Sequence, residues 1–531
     1  MVDGTGTTTY THDDLGHLTS QTTGAGQVTT YHYDDWDHVT AIDYPDALTA
    51  VTVGSGTGPT HVTTGTVHRT YDADGELTSV ADWLSNTTTF TYNNDGELTD
   101  VTRPNGVNAS YTYANDGSLI TLTDNAATAT LGRDDERRVT STTAPVDTYS
   151  YDAANRLTSD ASRSYDYDDA DNLTVAATPA GAATEQHFDD ANQLTARTQG
   201  ATTVATFDYD DEGRRASETE ASATTDLGWS QADDLLSYDG PDRSGAASTT
   251  SEQYGYDGDG LRQTKTSDSQ RTHQAYDISS DLPLMIEDGP TAYITGPDGL
   301  PLEQIDAAGT ALWFHHDQLG STTTLTSATG ATVQSYAYDP YGQRTSAAPT
   351  VENPFQFAGQ YTDAKTGLQD LRARYYDPAT GQFLSRDPLE DTTLHPYAYA
   401  DNDPTNATDP SGLSVLSTVS DAAAGTLDGL TGGYSTKLAA SLLDFNLDCA
   451  HFGAGFSALR TAAFVGSLAD GEGELALAAR LGIKETQAAK GPETALSQAG
   501  KRGLAKRIGE IPRSSSPVAQ GGSAKTGRWW E

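Results

Sequence analysis

The sequence predicts a mainly β protein, built as a spiral of β-hairpins and followed by a small, mainly α-helical C-terminal tail. Three observations predict this fold: a short motif that recurs with a spacing of 21 residues, alternation of polar and apolar residues between its copies, and a change of composition after Leu413. Only 35% of the 531 residues are hydrophobic. This fraction indicates the thin core that stacked repeats build.

The recurring motif consists of an aromatic residue, Asp or Asn, two variable residues, Gly or Asn, and a polar residue that is usually followed by Leu. Copies begin at Tyr71, Tyr92, Tyr113, Tyr151, Phe188, Tyr209 and Tyr256. Alternating Thr, Tyr and Val are typical of half-buried strands, and Asx-x-x-Gly is typical of a tight turn. Two strands of about eight residues and their turns fill 21 residues, so each repeat is predicted to be one hairpin. The tyrosines are expected to pack rather than to bind a ligand.

The charge of the chain is strongly negative, with 75 acidic and 31 basic residues and a net charge of −44. Such a charge argues against binding of nucleic acid or anionic membranes by most of the chain. The negative charge is spread through the repeats, because 64 of the acidic but only 19 of the basic residues precede Ser414. This distribution favours a halophilic, acidic protein adapted to molar salt. Disorder is the alternative, but 27 tyrosines and regular alternation argue against it.

The sequence predicts no covalent cross-link and no membrane segment. Cys449 is the only cysteine, so no disulfide can form within the chain. The first residues carry no basic segment followed by an apolar one, so no signal peptide is predicted. No apolar run reaches the ~18 residues that a transmembrane helix needs, and membrane insertion is not expected.

A block of specific motifs follows the repeats between Trp313 and Leu413. They are His316-Asp-Gln-Leu-Gly-Ser, Tyr338-Asp-Pro-Tyr-Gly, Phe355-Gln-Phe-Ala-Gly, Arg372-Ala-Arg-Tyr-Tyr-Asp-Pro, Gly381-Gln-Phe, Asp387-Pro, Pro396-Tyr and Pro404-Thr-Asn-Ala-Thr-Asp-Pro-Ser-Gly-Leu. With the upstream repeats, this block resembles the Rhs/YD-repeat proteins that carry an Rhs repeat-associated core, a family of polymorphic toxins and teneurin-like shells. The resemblance covers residues 1–413.

The resemblance implies three domains. Residues 1–312 would form a YD-repeat β-shell shaped like a cocoon, whether complete or incomplete in this chain. Residues 313–413 would form the core, a self-cleaving plug, and residues 414–531 a variable tail that the shell encloses as cargo. Such proteins are secreted or lie at the cell surface, and a toxic tail would have an immunity protein as a partner.

The core contains two aspartates that are each followed by a proline, Asp387 and Asp409, each at the end of a predicted strand. Two carboxylates that share a proton can divide the roles of base and acid, one activating water and the other polarising a carbonyl. From residue types alone, turn-forming Asp-Pro pairs and a structural ion pair at Arg374 are the favoured interpretation. Neither metal nor cofactor is expected, because His315 and His316 belong to the repeat-like part of the block.

The resemblance reverses that preference. It implies an intramolecular aspartyl protease in which Asp387 and Asp409 are catalytic and Arg374 holds one aspartate ionised. The cut would fall between Leu413 and Ser414, directly after the motif that contains Pro404, Pro410 and Gly412. Three positions depart from the family pattern without touching the proposed pair: Gln382, His395 and Asp403.

The tail after the motif differs from the repeats, with 12 basic and 11 acidic residues. Helices are predicted over residues 472–490 and 494–508. Residues 481–531 carry nine basic and four acidic side chains, which favours nucleic-acid binding or a helix whose cations offset its dipole. The last segment resembles the start of nuclease toxins, but no histidine follows His451, so a truncated toxin module is expected.

Two other functions remain open for the whole chain. The first is a non-enzymatic cell-surface or adhesion protein whose repeats bind partners. The second is a truncated remnant of an Rhs toxin with an inactive tail. Cleavage after Leu413, and the effect of the tail when expressed inside a cell, would separate the adhesion protein from a self-cleaving shell.

Overall fold

The computed structural model describes residues 1–48, 51–52, 61–62, 65–125, 127–178, 183–280, 282–297, 299–413 and 416–417. Regular structure in these residues is almost entirely antiparallel β-sheet, which confirms the mainly β fold. The predicted tail helices, at 472–490 and 494–508, lie outside the described residues. None of the helices in the described part of the chain is long and apolar enough to cross a membrane.

The first large sheet is a meander in which each strand pairs with the next one along the sheet. Its 13 strands in the described residues are Thr9–His12, Leu18–Thr22, Val28–Tyr33, Val39–Asp43, Thr66–Tyr71, Leu77–Ala81, Thr87–Tyr92, Leu98–Thr102, Ala109–Tyr113, Leu119–Asp124, Ala127–Arg133, Val139–Thr143 and Val146–Thr148.

The second large sheet continues the meander. Its strands within the described ranges are Ser150–Tyr151, Leu157–Ser159, Ser164–Tyr167, Leu173–Ala177, Thr184–Phe188, Leu194–Gln199, Thr202–Tyr209, Arg215–Glu220, Ala223–Trp229, Leu235–Pro241, Thr249–Tyr256, Arg262–Ser267, Gln270–Asp277, Leu284–Asp288, Thr291–Thr295, Pro301–Ile305, Ala311–His316, Thr322–Ser327 and Thr332–Ser335. The short strand Val51–Thr52 also pairs with Gln270–Asp277. The sheet thus runs on past residue 312, where the sequence places the start of the core.

Shorter elements complete the described chain. Two small ladders join Val2–Asp3 to Gly6–Thr7 and Ala47–Leu48 to His61–Val62. After the second large sheet come Phe357–Gly359 (a 3₁₀ turn), Tyr361–Thr362, Gln369–Asp370, Tyr375–Asp377, Gln382–Phe383, Glu390–Thr393 (an α-helical turn), Ala400–Asn402 (a 3₁₀ turn), Ala407–Thr408 and Leu416–Ser417. The strands between Tyr361 and Phe383 form one four-stranded sheet, and the last two strands pair with each other.

The sequence motif forms the predicted hairpin, as the copy at Tyr71 illustrates. Oδ1 of Asp72 accepts hydrogen bonds from the backbone N–H groups of Asp74 at 2.9 Å and Glu76 at 3.0 Å. Gly75 has a φ of 85°, a conformation that glycine adopts without strain. The Asp-x-x-Gly sequence therefore closes the turn through its own backbone, as the prediction requires.

The motif tyrosines tie each repeat to the one before it. The hydroxyl of Tyr92 donates to the Leu77 carbonyl at 2.9 Å, and that of Tyr113 donates to the Leu98 carbonyl at 2.7 Å. Each acceptor is the first residue of the returning strand in the preceding repeat. These bonds agree with a packing role for the tyrosines, because the polar end of the ring is used within the repeat array.

The two large sheets share a buried apolar core. Ile42 and Val67 of the first sheet lie in one cluster with Ile286 and Trp313 of the second, and all four are almost fully buried. The cluster buries apolar side chains from both sheets, which one thin sheet could not do alone.

Polar contacts fix the relative position of the two sheets. His315, in the second sheet, has Nδ1 2.6 Å from Asp124 of the first sheet and Nε2 2.8 Å from the Thr326 hydroxyl. Burial lowers the pKa of His315 below its ordinary value, although the Asp124 carboxylate opposes that shift. Both ring nitrogens of His315 have partners within the protein, an arrangement typical of a structural histidine.

Candidate functional site

A row of buried ion pairs holds the segment after Ser335 on the second large sheet. Asp377 lies 2.8 Å from Arg215, and Asp363 lies 2.7 Å from Lys265. Burial by itself raises the pKa of Asp377, but the positive charges of Arg215 and Arg243 and the hydrogen bond from Arg215 together outweigh it and leave the pKa below its ordinary value. The carboxylates therefore stay charged, and the short strands of this segment gain fixed positions from them.

Arg374 lies between the two aspartates that the sequence singles out. Its Nη2 atom is 3.7 Å from Oδ2 of Asp387 and 3.5 Å from Oδ2 of Asp409. Arg374, Asp387 and Asp409 are 3%, 6% and 2% exposed, respectively. The Arg374 guanidinium stacks on the Phe383 ring, 3.6 Å from its centre. One buried cation thus faces both carboxylates, although 22 residues of sequence separate them.

Asp409 follows the strand Ala407–Thr408 directly, as predicted. Its Oδ1 atom accepts a hydrogen bond from the backbone N–H of Leu413 at 3.1 Å and one from the Ser411 hydroxyl at 3.2 Å. Its Oδ2 atom faces Arg374. The carboxylate therefore binds the amide that comes immediately before the predicted Leu413–Ser414 cut.

Asp387 lies four residues beyond the strand Gln382–Phe383 and just before the helical turn Glu390–Thr393. Oδ1 accepts a hydrogen bond from the Leu389 N–H, and Oδ2 accepts one from the Thr393 hydroxyl, both at 2.8 Å. Thr393 is a contact that sequence reasoning missed, because nothing in Asp-Pro-Leu-Glu predicts that the chain turns back onto the aspartate.

The predicted cut follows Leu413, and Ser414 lies outside the described residues. On the side before the cut, Nε of Arg374 donates to the Gly412 carbonyl. On the side after it, Leu416 and Ser417 pair with Thr408 and Ala407, the two residues that precede Asp409. The described chain is therefore held on both sides of the bond, by a side-chain hydrogen bond before it and by backbone pairing after it.

The other motif positions have structural contacts. The carbonyl of Pro410 accepts a bond from Arg372, and Gly412 has a φ of 71°. Pro404 is buried and comes two residues before Asn406, whose Oδ1 atom accepts a bond from the Val139 N–H of the first large sheet at 2.7 Å. The motif is thus docked on the repeats as well as on the aspartate site.

The three departures from the family pattern also have contacts. Gln382 forms a backbone bridge with Ala398, and His395 lies 3.8 Å from Asp171. Asp403 accepts a hydrogen bond from Nδ2 of Asn406 at 2.7 Å, and burial raises the pKa of Asp403 to about 6. Sequence reasoning places these residues outside the aspartate pair, and these contacts give each a structural partner.

The arrangement has the groups that acid–base hydrolysis of a peptide bond needs. Two carboxylates that lie close together can hold one negative charge and one proton between them, because like charges repel, and a cation such as Arg374 stabilises the ionised member. The ionised carboxylate can remove a proton from water, and the protonated one can polarise a carbonyl. The Leu413 N–H is hydrogen-bonded to Asp409, so the backbone next to the predicted cut already lies beside one of the two carboxylates.

Comparisons with known proteins agree on the family. The family model for the teneurin YD-shell matches residues 2–130, 61–192 and 297–405, which together make up more than half of the chain. The tRNA3(Ser)-specific nuclease WapA of Bacillus spizizenii is 33% identical over 171 residues, 30% of this chain and 7% of that protein. Toxin protein Tse5 of Pseudomonas aeruginosa is 37% identical over 119 residues, 22% of this chain and 9% of that protein.

A solved structure shares the fold. The Tc holotoxin pore of Photorhabdus luminescens superposes with a TM-score of 0.50 at 21% identity, over 76% of this chain and 21% of that one. The chain spans less than a tenth of the length of the two sequence relatives.

Proposed function

Because the chain belongs to the teneurin YD-shell family, we propose that its core cuts the backbone between Leu413 and Ser414 and so releases the polypeptide that follows. The chain is an Rhs/YD-repeat shell protein with toxin-like relatives. In this proposal Asp387 and Asp409 are the catalytic residues.

One observation carries the proposal. The same nitrogen of Arg374 faces Asp387 and Asp409, and Asp409 also binds the Leu413 amide next to the bond. Substrate and catalytic groups then belong to one chain, so the reaction is intramolecular. Reactions of this kind need no encounter between molecules, and correct positioning alone lowers the barrier by several kcal/mol, roughly 7–11 in favourable cases.

The chemistry is a hydrolysis in two steps. The ionised carboxylate takes a proton from water while the water oxygen bonds to the Leu413 carbonyl carbon, and the protonated carboxyl gives its proton to the carbonyl oxygen. The resulting diol then collapses, the C–N bond breaks, and the nitrogen of Ser414 takes up a proton. The products are a carboxylate at Leu413 and an amine at Ser414.

The domain organisation follows from this reaction. Residues 1–312 form the shell, residues 313–413 the cutting core, and residues 414–531 the cargo that is enclosed and released. The nuclease named among the relatives supports nucleic acid as a target of such a tail, which agrees with the basic character of residues 481–531. An immunity protein would then protect the producing cell, and the parent protein would be secreted or held at the cell surface.

Mass spectrometry of the chain expressed in high salt tests the cut. We expect a fragment that begins at Ser414 from the parent chain and none from the Asp387→Asn and Asp409→Asn variants. Glu390→Gln is the matched control, because Glu390 is an acidic residue of the same segment that pairs with Arg386 at the surface. A parent chain as intact as the Asp409→Asn variant would contradict the proposal and favour a non-enzymatic surface protein.

The charge of the repeats supports a second proposal, adaptation to molar salt. In molar salt the Debye length is ~3 Å, so repulsion within an acidic surface is screened. We expect the urea midpoint of the Asp409→Asn chain to rise when KCl is increased from 0.1 M to 2 M. A midpoint that falls or stays constant would contradict salt adaptation.

A further inference from the structure

The segment before the predicted cut is bound at three successive carbonyl groups. The donors are three successive residues of the loop that begins at Arg372. The bonds are Arg372 Nη1 to the Pro410 carbonyl at 2.6 Å, the Ala373 N–H to the Ser411 carbonyl at 3.1 Å, and Arg374 Nε to the Gly412 carbonyl. Such a one-to-one match fixes the register of residues 410–412 against residues 372–374.

Arg372 is held in place by other contacts before it reaches Pro410. Its Nε donates to the Pro283 carbonyl at 2.8 Å, and its Nη1 also donates to Oε1 of Gln360 at 2.9 Å. Its backbone N–H donates to Asp370 at 2.9 Å. The side chain is thus pre-organised, so binding the Pro410 carbonyl costs little further conformational entropy.

Close approach of the two segments explains the glycine in the motif. A Cβ atom on Gly412 would lie 2.8 Å from the Leu371 carbonyl oxygen and 2.9 Å from the Arg374 nitrogen. Both atoms belong to the backbone and cannot move aside cheaply. The segment therefore accepts only glycine at this position, which marks a tightly fitted binding surface rather than a loose loop.

We propose that residues Arg372–Arg374 are the substrate cradle of the core, and that Arg372 is a positioning residue that determines which bond is cut. The cradle binds main-chain carbonyl groups, so it recognises a turn that has glycine as its third residue, without reading the side chain of Ser411. The inference rests on the proposed function, since it concerns the same bond. By holding Pro410 and Gly412, the cradle limits the positions that the Leu413 carbonyl can take.

The first test measures the cut. In Arg372→Met, which keeps a long apolar stem and removes every donor of the guanidinium, we expect the rate of cutting to fall by at least about tenfold, because small misplacements of reacting groups cost up to about 10²-fold. Arg372→Lys restores one donor nitrogen and the positive charge, and should recover part of the rate of cutting. Arg344→Met is the matched control, since Arg344 is a half-buried arginine of the same region that contacts Gln356.

The second test does not depend on cutting. In the Asp387→Asn chain, hydrogen exchange of peptides covering residues 371–375 and 410–413 reports whether the cradle is closed. We expect Arg372→Met to raise that exchange about tenfold or more and Arg344→Met to leave it unchanged.

The outcomes separate the two proposals. A parent chain that is not cut overturns the proposed function, while the exchange measurement still tests the cradle. A chain in which Arg372→Met is cut as fast as Arg344→Met, or in which the exchange of the two variants is equal, overturns the cradle alone.

Discussion

The repeats and the core use different kinds of interaction, although one follows the other without a break in the chain. In the repeats, the tyrosine hydroxyl bonds join residues that are 15 positions apart, as in Tyr113 and Leu98. The core is instead held by contacts with distant residues: the buried pair of Arg215, in the second large sheet, and Asp377, in the core, joins residues that are 162 positions apart. The repeats therefore depend on neighbours in the sequence, and the core depends on particular partners far away.

This difference implies that the repeats tolerate substitutions, whereas the core depends on specific side chains. A repeat that loses one contact still has the same backbone ladder as its neighbours, because stability in a repeat array is approximately a sum of local terms. The described core strands that follow Ser335 are only two or three residues long, so their positions depend on side chains. Loss of a contact within the repeats should thus have a small effect, and loss of a contact that holds the core on the repeats should have a large one.

The largest effect is expected from Arg215→Met in the Asp409→Asn background. The change leaves Asp377 buried without its closest cation, and removal of one partner from a buried pair costs about 3–5 kcal/mol. Urea unfolding measures this cost. Arg138→Met is the control from the repeats, because Arg138 pairs with Asp134 at the partly exposed surface, where ion pairs contribute about 0–1 kcal/mol. Equal losses in the two variants would contradict the comparison.

A pH effect of intermediate size should come from turn carboxyls of the core. Asp317 occupies the same turn position as the repeat residue Asp34. Burial raises the pKa of Asp317 to about 6, whereas the pKa of Asp34 lies below its ordinary value because hydrogen bonds from the turn outweigh desolvation. A raised pKa means that the folded state binds more protons between pH 4 and pH 6, so the free energy of unfolding falls as pH rises through about 6.

Unfolding by urea between pH 4 and pH 8 checks this expectation. Asp317→Asn should remove a pH dependence of about 1–3 kcal/mol across that range. Asp34→Asn should leave the dependence between pH 5 and pH 8 unchanged, because stability from a lowered pKa is lost only at lower pH. An unaltered pH profile in Asp317→Asn would show that the buried carboxyl does not titrate as expected.

The smallest effect is expected from the tyrosine hydroxyls of the repeats. Tyr92→Phe removes one bond to the Leu77 carbonyl and should cost about 1 kcal/mol. Adding Tyr113→Phe should add a similar amount, to within about 0.5 kcal/mol, since the two bonds share no partner. In the core, Tyr376→Phe should cost more, because Tyr376 and its bond to the Tyr341 carbonyl are fully buried, whereas Tyr92 and its bond are only partly buried. Strong coupling between the two repeat tyrosines would contradict the local character of these contacts.

The sequence predicted the repeats well because their structure is determined by residues that are close together in the chain. Asp72 and Gly75 form the turn by themselves, and alternation alone places Phe90 inside its strand Thr87–Tyr92. It also brought Arg374, Asp387 and Asp409 to attention, and the structure brings those three side chains together. The roles assigned to them stay predictions.

Contacts that depend on the tertiary fold could not be predicted. Nothing in the neighbourhood of Arg215 indicates Asp377 as its partner, because the pairing follows from the path of the second large sheet. Thr393 was missed because nothing in the residues after Asp387 predicts that the chain turns back onto the aspartate. For Arg372 a weak signal existed, because Arg-Ala-Arg would place both arginine side chains on the same side if the segment were extended. In the structure the segment is bent and Arg372 has a φ of 68°, so the pattern does not give the contact with Pro410.

The ladder between Ala407–Thr408 and Leu416–Ser417 has a practical consequence for any experiment on this chain. If the backbone is cleaved after Leu413, the two parts of the chain remain joined by the hydrogen bonds of that ladder until its two strands separate. Cleavage of the peptide bond and dissociation of the polypeptide after it would then be two events with different rates. A denaturing gel would report the fraction of chains that are cleaved, and a native size-exclusion column would report the fraction whose C-terminal part has dissociated. A preparation that is fully cleaved would therefore still elute as one particle.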